Sequence, residues 1–128
     1  MANTYFTRSD VLVRSVDESG FSFQTVTVAL AAGLKLGSVL IDPENDGTYR
    51  QLAAGDTTVG AGQVGVLVDL DATYGSLATS GTKKLVIAVR GCTFVGANLN
   101  YGAGVTAGIN AAKAALLAQS NKIDAVAI

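Results

Sequence analysis

Residues Leu52 to Asp71 read LAAGDTTVGAGQVGVLVDLD, and the way this stretch folds decides the rest of the chain. Its first half, with Gly55, Gly60 and Gly62 among Asp56, Thr57 and Thr58, has no helix potential, because glycine and short polar side chains disfavour helix interiors. From Val64 the chain becomes apolar and β-branched at alternate positions, which predicts an extended strand. Strand side chains alternate, so Val64, Val66, Val68 and Leu70 point one way while Gly65, Leu67, Asp69 and Asp71 point the other. The first face is wholly apolar and belongs to a core. The second is mixed and is expected to meet solvent or a neighbouring subunit.

On the N-terminal side, Phe21 to Leu30 (FSFQTVTVAL) is rich in β-branched and aromatic residues and predicts a strand that Ala31-Ala32-Gly33 ends. Leu36 to Asp42 is a second apolar run, closed by Pro43 and the pair Asp46-Gly47, and Tyr49 to Leu52 continues in extended form. That pattern predicts a hairpin with a polar loop.

On the C-terminal side, Ala72 to Thr82 carries turn chemistry at Tyr74-Gly75 and Ser80-Gly81. Lys84 to Arg90 predicts a strand, and Gly91 interrupts it with a bulge or bend before Cys92 to Val95. A helix is predicted from Thr106 or Asn110, either of them a candidate cap, through Ala111 to Gln119. Ile109, Ala112 and Leu116 share one of its faces, Asn121 is a candidate left-handed stop, and Ile123 to Ile128 alternates as a terminal strand. The fold class is therefore mainly β with one short C-terminal helix. An N-terminal arm, residues 1–20, precedes a single domain, residues 21–128.

Bulk properties narrow the function. Of 128 residues 49% are hydrophobic and only 15% charged, against about 25% charged in ordinary domains. Either part of the surface is covered by other chains, or Ala and Gly raise the hydrophobic count without making a sticky surface. Nine Lys and Arg are scattered and the net charge is −1, so no electrostatic footprint for direct nucleic-acid binding exists. The adjacent pair Lys83-Lys84 suits a turn or a solvated strand start. Cys92 is the sole cysteine, which excludes an internal disulfide and fits a small buried side chain. Met1 to Asp10 lacks the apolar core of a secretion signal, and no apolar run reaches membrane-spanning length, so synthesis in the cytoplasm and no membrane partner are expected.

No constellation carries catalysis or a cofactor. Gly60 to Gly65 spells GxGxxG, yet a strand follows where a dinucleotide site needs a helix N-terminus. Asp42, Glu44, Asp46 and Gly47 imitate the start of a calcium loop, but Pro43 interrupts it and Ala53 occupies the position of the final carboxylate, so a hairpin loop is expected and no metal. Asp69 and Asp71 share a strand face without a histidine anywhere in the chain to act as partner. No enzyme is expected.

With those segments placed, the chain resembles the head decoration proteins of lambda-type tailed bacteriophages. The resemblance is an ordered one. It runs through Gly33-Leu34-Lys35, Val39 to Asp42, Leu52 to Thr58, Gly62 to Leu67, Gly91 to Phe94 and Ala125 to Ile128, covering roughly residues 33–128. The segment before Gly33 is longer than in the lambda relative, and the Ala-rich helix is less charged. The resemblance implies a β-clip or β-tulip type of domain. It further implies a homotrimer on the outer capsid surface of the virion, bound to the major capsid protein at three-fold and quasi-three-fold positions and stabilising the expanded head against internal DNA pressure. Two other readings stand beside it: another small β-rich virion subunit, tail-associated or receptor-binding, or a cellular ligand-binding β domain with a concave pocket.

The arm supplies the candidate binding residues. Its apolar centre is too short to build a core of its own, and Thr7, Arg8, Val11, Leu12, Val13 and Arg14 form an extended segment suited to a sheet edge on the capsid protein. In the resembled family the N-terminal segment makes such contacts. The alternative is that the arm folds onto its own trimer.

Overall fold

The computed structural model describes residues 12–15, 23–60, 62–69, 78–90, 92–119 and 121–124. Five strands form a closed barrel: β2 (Phe23–Ala29), β3 (Val39–Ile41), β4 (Thr48–Gln51), β5 (Val64–Leu67) and β6 (Thr82–Ala88), in the order β2-β4-β3-β5-β6. A separate three-stranded sheet places β1 (Leu12–Ser15) and β8 (Lys122–Asp124) on either side of β7 (Cys92–Val95). A short 3-10 turn, Gly96–Asn98, and one helix, α1 (Thr106–Ala118), complete the described elements.

The predicted hairpin is present. β3 and β4 pair antiparallel with Leu40 opposite Gln51 and Ile41 opposite Arg50. Its loop is shaped by Asp42, which is only 5% exposed and whose carboxylate accepts the backbone N–H groups of Asp46 and Gly47 at 3.1 and 3.0 Å. Asn45 adopts φ 54° at the tip, a left-handed conformation that asparagine tolerates better than most residues. Returning through this hairpin lays β4 parallel to β2, at Thr27 opposite Thr48 and Val28 opposite Tyr49. Every other pairing within the barrel is antiparallel, the longest being β2 with β6 over Phe23–Ala29.

The barrel interior and the ground under the helix form one core. Val28, Leu36, Val39, Leu40, Ile41, Leu52, Leu85, Ile87, Phe94 and Leu116 are at most 1% exposed, each worth about 1.5–3 kcal/mol relative to an exposed position. The opening strand departs from expectation at its second face. Leu67 is as buried as Val64, Val66 and Val68, because β5 is flanked by β3 and β6 on its edges and by α1 against it. β5 also stops at Leu67, and the Asp69 carboxylate accepts the Val86 N–H at 2.9 Å; Leu70 and Asp71 lie outside the described residues. Gly65 lets β6 pack closely here, since a Cβ would stand 2.6 Å from the Ile87 Cδ1 and displace that side chain.

Two expectations about the helix are corrected. Neither Thr106 nor Asn110 caps it: the cap position is Val105, in extended conformation and without a side-chain hydrogen bond. Asn121 is not left-handed, for Asn45 is the sole non-glycine residue with positive φ among those described. Asn121 stops the helix through its side chain instead, donating to the Leu116 carbonyl at 2.9 Å. α1 lies close to its seat because Gly108, Ala112 and Ala115 face inward with Leu116. Gly91 and residues 125–128 lie outside the described residues, and β8 covers the first part of the predicted terminal strand.

Candidate functional site

The arm residues were singled out by an apolar centre between polar flanks, and the structure describes Leu12, Val13 and Arg14 of that set. Thr7, Arg8 and Val11 lie outside the described residues. β1 pairs antiparallel with β7 of its own chain, Leu12 opposite Phe94, Arg14 opposite Thr93 and Ser15 opposite Cys92. The register slips between Leu12 and Arg14, so Val13 is the extra residue of a bulge, which sharpens the local twist. On one side the β1 backbone is therefore partnered within the chain; β1 forms one edge of the three-stranded sheet and β8 the other.

Polar bonds brace that sheet to the barrel beside the apolar packing of Phe94. The Cys92 N–H donates to Asn121 Oδ1 at 3.0 Å, and Asn121 Nδ2 donates to the Val89 carbonyl at 2.9 Å as well as to Leu116. Gln119 Nε2 donates to the carbonyls of Val64 (3.0 Å) and Val89 (2.5 Å), and its Oε1 accepts the Gly62 N–H at 2.8 Å. Asn121 is 5% exposed, and a buried amide is retained where each polar group finds a partner. Sequence reasoning missed this pair as a brace. The available signal was two amides, at 119 and 121, directly behind the helix. Phe94, opposite Leu12, is fully buried and anchors β7, while the Cys92 thiol is buried 3.3 Å from the Arg90 carbonyl.

A second polar centre also escaped the sequence. Arg50 donates through both terminal nitrogens to the two carboxylate oxygens of Asp56, and the Ala53 N–H donates to Asp56 Oδ2 at 2.7 Å. The hydrogen bond from Arg50 holds the Asp56 carboxyl below the usual carboxylate range and raises the Arg50 guanidinium in turn. Beside it lies an open groove of about 640 Å³, lined by small residues such as Ala29, Ala32 and Ala103 together with Arg50, Gln51 and Asn100.

The remaining candidates are dispersed. Gly60 and Gly62 lead into β5 rather than a helix, Asp42 serves its turn, and Asp69 serves β6. Among the described residues no group of three His, Cys, Asp or Glu side chains is placed to hold a metal ion, and no helix is long and apolar enough to cross a membrane. The Tyr101 hydroxyl is buried without a partner among them, and burial raises its pKa; the Lys113 ammonium stands 5.6 Å from its ring centre.

The family model described as bacteriophage PhiTE minor capsid decoration protein matches residues 1–128. The chain belongs to that family. No curated protein and no solved structure gave a significant match. Membership of the PhiTE minor capsid decoration family makes this a structural, virion-associated protein of a bacteriophage capsid, in agreement with the phage head decoration class that the ordered resemblance named. The match includes residues 1–32, which the lambda-type resemblance left uncovered. A mainly β domain with one short helix near the C-terminus is compatible with a decoration-protein domain.

Proposed function

We propose that the protein is a capsid cement. It binds the major capsid protein on the outer surface of the expanded head, as a homotrimer at three-fold and quasi-three-fold positions, and stabilises the shell against the pressure of packaged DNA. The full-length match to a capsid decoration family carries this reading. A ligand that binds only the intact shell stabilises it by RT ln(1 + [L]/Kd), about 2.7 kcal/mol per site at a hundredfold excess over Kd. This needs no reaction.

The arm is the proposed contact, through Thr7, Arg8, Val11, Leu12, Val13 and Arg14. Its support is that β1 stands at the edge of a small sheet, where an outward row of backbone groups accepts a further strand. The test mixes purified full-length protein with expanded empty capsids and images them by cryo-electron microscopy. Protrusions at three-fold positions are expected; bare shells at micromolar protein would overturn the reading. A second variant lacking residues 2–11 keeps β1 on β7 and so separates binding from folding. It is expected to keep its circular dichroism and to lose decoration, and undiminished decoration would remove Thr7, Arg8 and Val11 from the interface.

A further inference from the structure

A closed barrel is as strong as its weakest ladder, and the ladders here are unequal. β2 and β6 are paired over seven positions, Phe23–Ala88 to Ala29–Thr82. β5 and β6 share two register pairs, but the contact is prolonged by Val68 N–H to the Val86 carbonyl at 3.2 Å and by Val86 N–H to the Asp69 carboxylate at 2.9 Å. β3 and β4 also share two, and their turn is tied by Asp42. β2 and β4 share two pairs, in parallel, with no turn between them, and parallel pairing is slightly the less stable per residue.

The β2–β4 register pairs end at Val28 and Tyr49, and the residues that follow them on both strands line the open groove. What crosses the gap is side chain. Gln51 Nε2 donates to the Ala32 carbonyl at 3.2 Å, and Asn100 Nδ2 donates to the Gly33 carbonyl at 3.3 Å, both on the exposed surface. β4 is bound on its far side instead, to β3, and through Arg50 to Asp56. Asp56 in turn lies against α1, since its carbonyl occupies the space a Cβ on Gly108 would need.

We propose that the barrel opens along the β2–β4 seam, with Gln51 and Asn100 as latches that hold the strap at residues 31–33 across the gap. Opening divides the barrel into a β2–β6 ribbon and a body of β3, β4, the Ala53–Asp56 turn and α1. The β5–β6 contact is the hinge. This inference goes beyond capsid binding and does not depend on it.

Residue-resolved amide hydrogen exchange on the full-length protein tests it, because sub-global opening releases the amides bonded across the parting ladder ahead of the rest. Those amides among Thr27, Val28, Thr48 and Tyr49 whose N–H faces the β2–β4 seam are expected to exchange at least tenfold faster than β2 amides bonded to β6. Gln51→Glu, which keeps the length of the side chain and removes the donor, is expected to speed the seam amides several-fold and leave the β2–β6 amides unchanged. Asn100→Ala serves as the second latch variant. Equal rates on the two ladders, or a uniform rise throughout the barrel in the latch variants, would overturn the proposal.

Discussion

Arg50 and Asp56 meet as a fork on a fork, at 2.7 and 2.8 Å, across a turn that Asp56 also closes by accepting the Ala53 N–H. The pair is half in water, with the Arg50 side chain 38% exposed, so its Coulombic part is small. The turn-closing bond adds to it. Asp56→Asn is expected to cost about 1–2 kcal/mol, read as a lowered midpoint of denaturant unfolding.

The same pair sets an acid limit. The folded Asp56 carboxyl titrates below its unfolded counterpart, so its contribution is fully present above the ordinary carboxylate pKa, about 3.9. It is lost as pH falls through the lowered value. The difference in thermal midpoint between the parent and Asp56→Asn should therefore hold from neutrality to about pH 5 and shrink below about pH 4. A difference that grew with acidity would contradict the assigned partner.

Gly108 tests how closely α1 is seated. Alanine favours helix by about 1 kcal/mol over glycine, yet a Cβ here would collide with the Asp56 carbonyl. Gly108→Ala is expected to destabilise by about 1–3 kcal/mol. Gly55→Ala meets nothing within 4 Å and needs no positive φ, so it should be neutral or mildly stabilising, with scanning calorimetry as the measurement for both variants.

Asn121 is the member of the brace with most to lose. Replacing it by alanine strands the Cys92 N–H in a buried site and removes a donor from the Leu116 carbonyl, which keeps the Gln119 N–H, at about 1–3 kcal/mol. Asn121→Asp, which keeps the acceptor but brings an anion against the carbonyls of Val89 and Leu116, is expected to be worse at pH 7 than at pH 4, as urea titrations at the two values would show.

Cys92 is expected to be structural. It is 2% exposed, so native protein should resist thiol reagents until unfolded. Cys92→Ala should lower stability by about 1 kcal/mol and leave capsid decoration unchanged. Loss of decoration in a folded Cys92→Ala variant would give the thiol a role it is not assigned.

Much of this architecture was legible in the chain, for reasons that mark where legibility ends. The β2 and β6 strands follow from FQTVTVA and TKKLVIA, where alternation and β-branching act locally, and the polar start of β6 leaves Lys83 and Lys84 exposed as expected. The 3–4 hairpin follows from Pro43 and Asp46-Gly47. Barrel closure does not, because β2 beside β4 is a choice between distant partners that neither sequence states. The burial of Leu67 was hidden for the same cause: α1, some forty residues later, covers β5. Arg50 with Asp56, and Gln119 with Asn121, read as ordinary polar residues until folding brings their partners to them. The strand at Leu12–Ser15 was foreshadowed by the apolar run Val11 to Val13 between charges, while the bulge at Val13 depends on its register against β7.

β1 runs antiparallel to β7 and β8 runs parallel to it, so Leu12, where β1 begins, and Asp124, where β8 finishes, stand at the same end of β7, opposite Phe94 and Val95. With neighbouring strands about 4.8 Å apart, those two points are separated by about 10 Å. Tension applied between them acts across the ladders rather than along them, and hydrogen bonds loaded in this way break one after another instead of together. Tension applied between Leu12 and Asp124 is therefore expected to peel β1 and β8 from β7 ahead of the barrel ladders, so that the small sheet would act as a mechanical fuse.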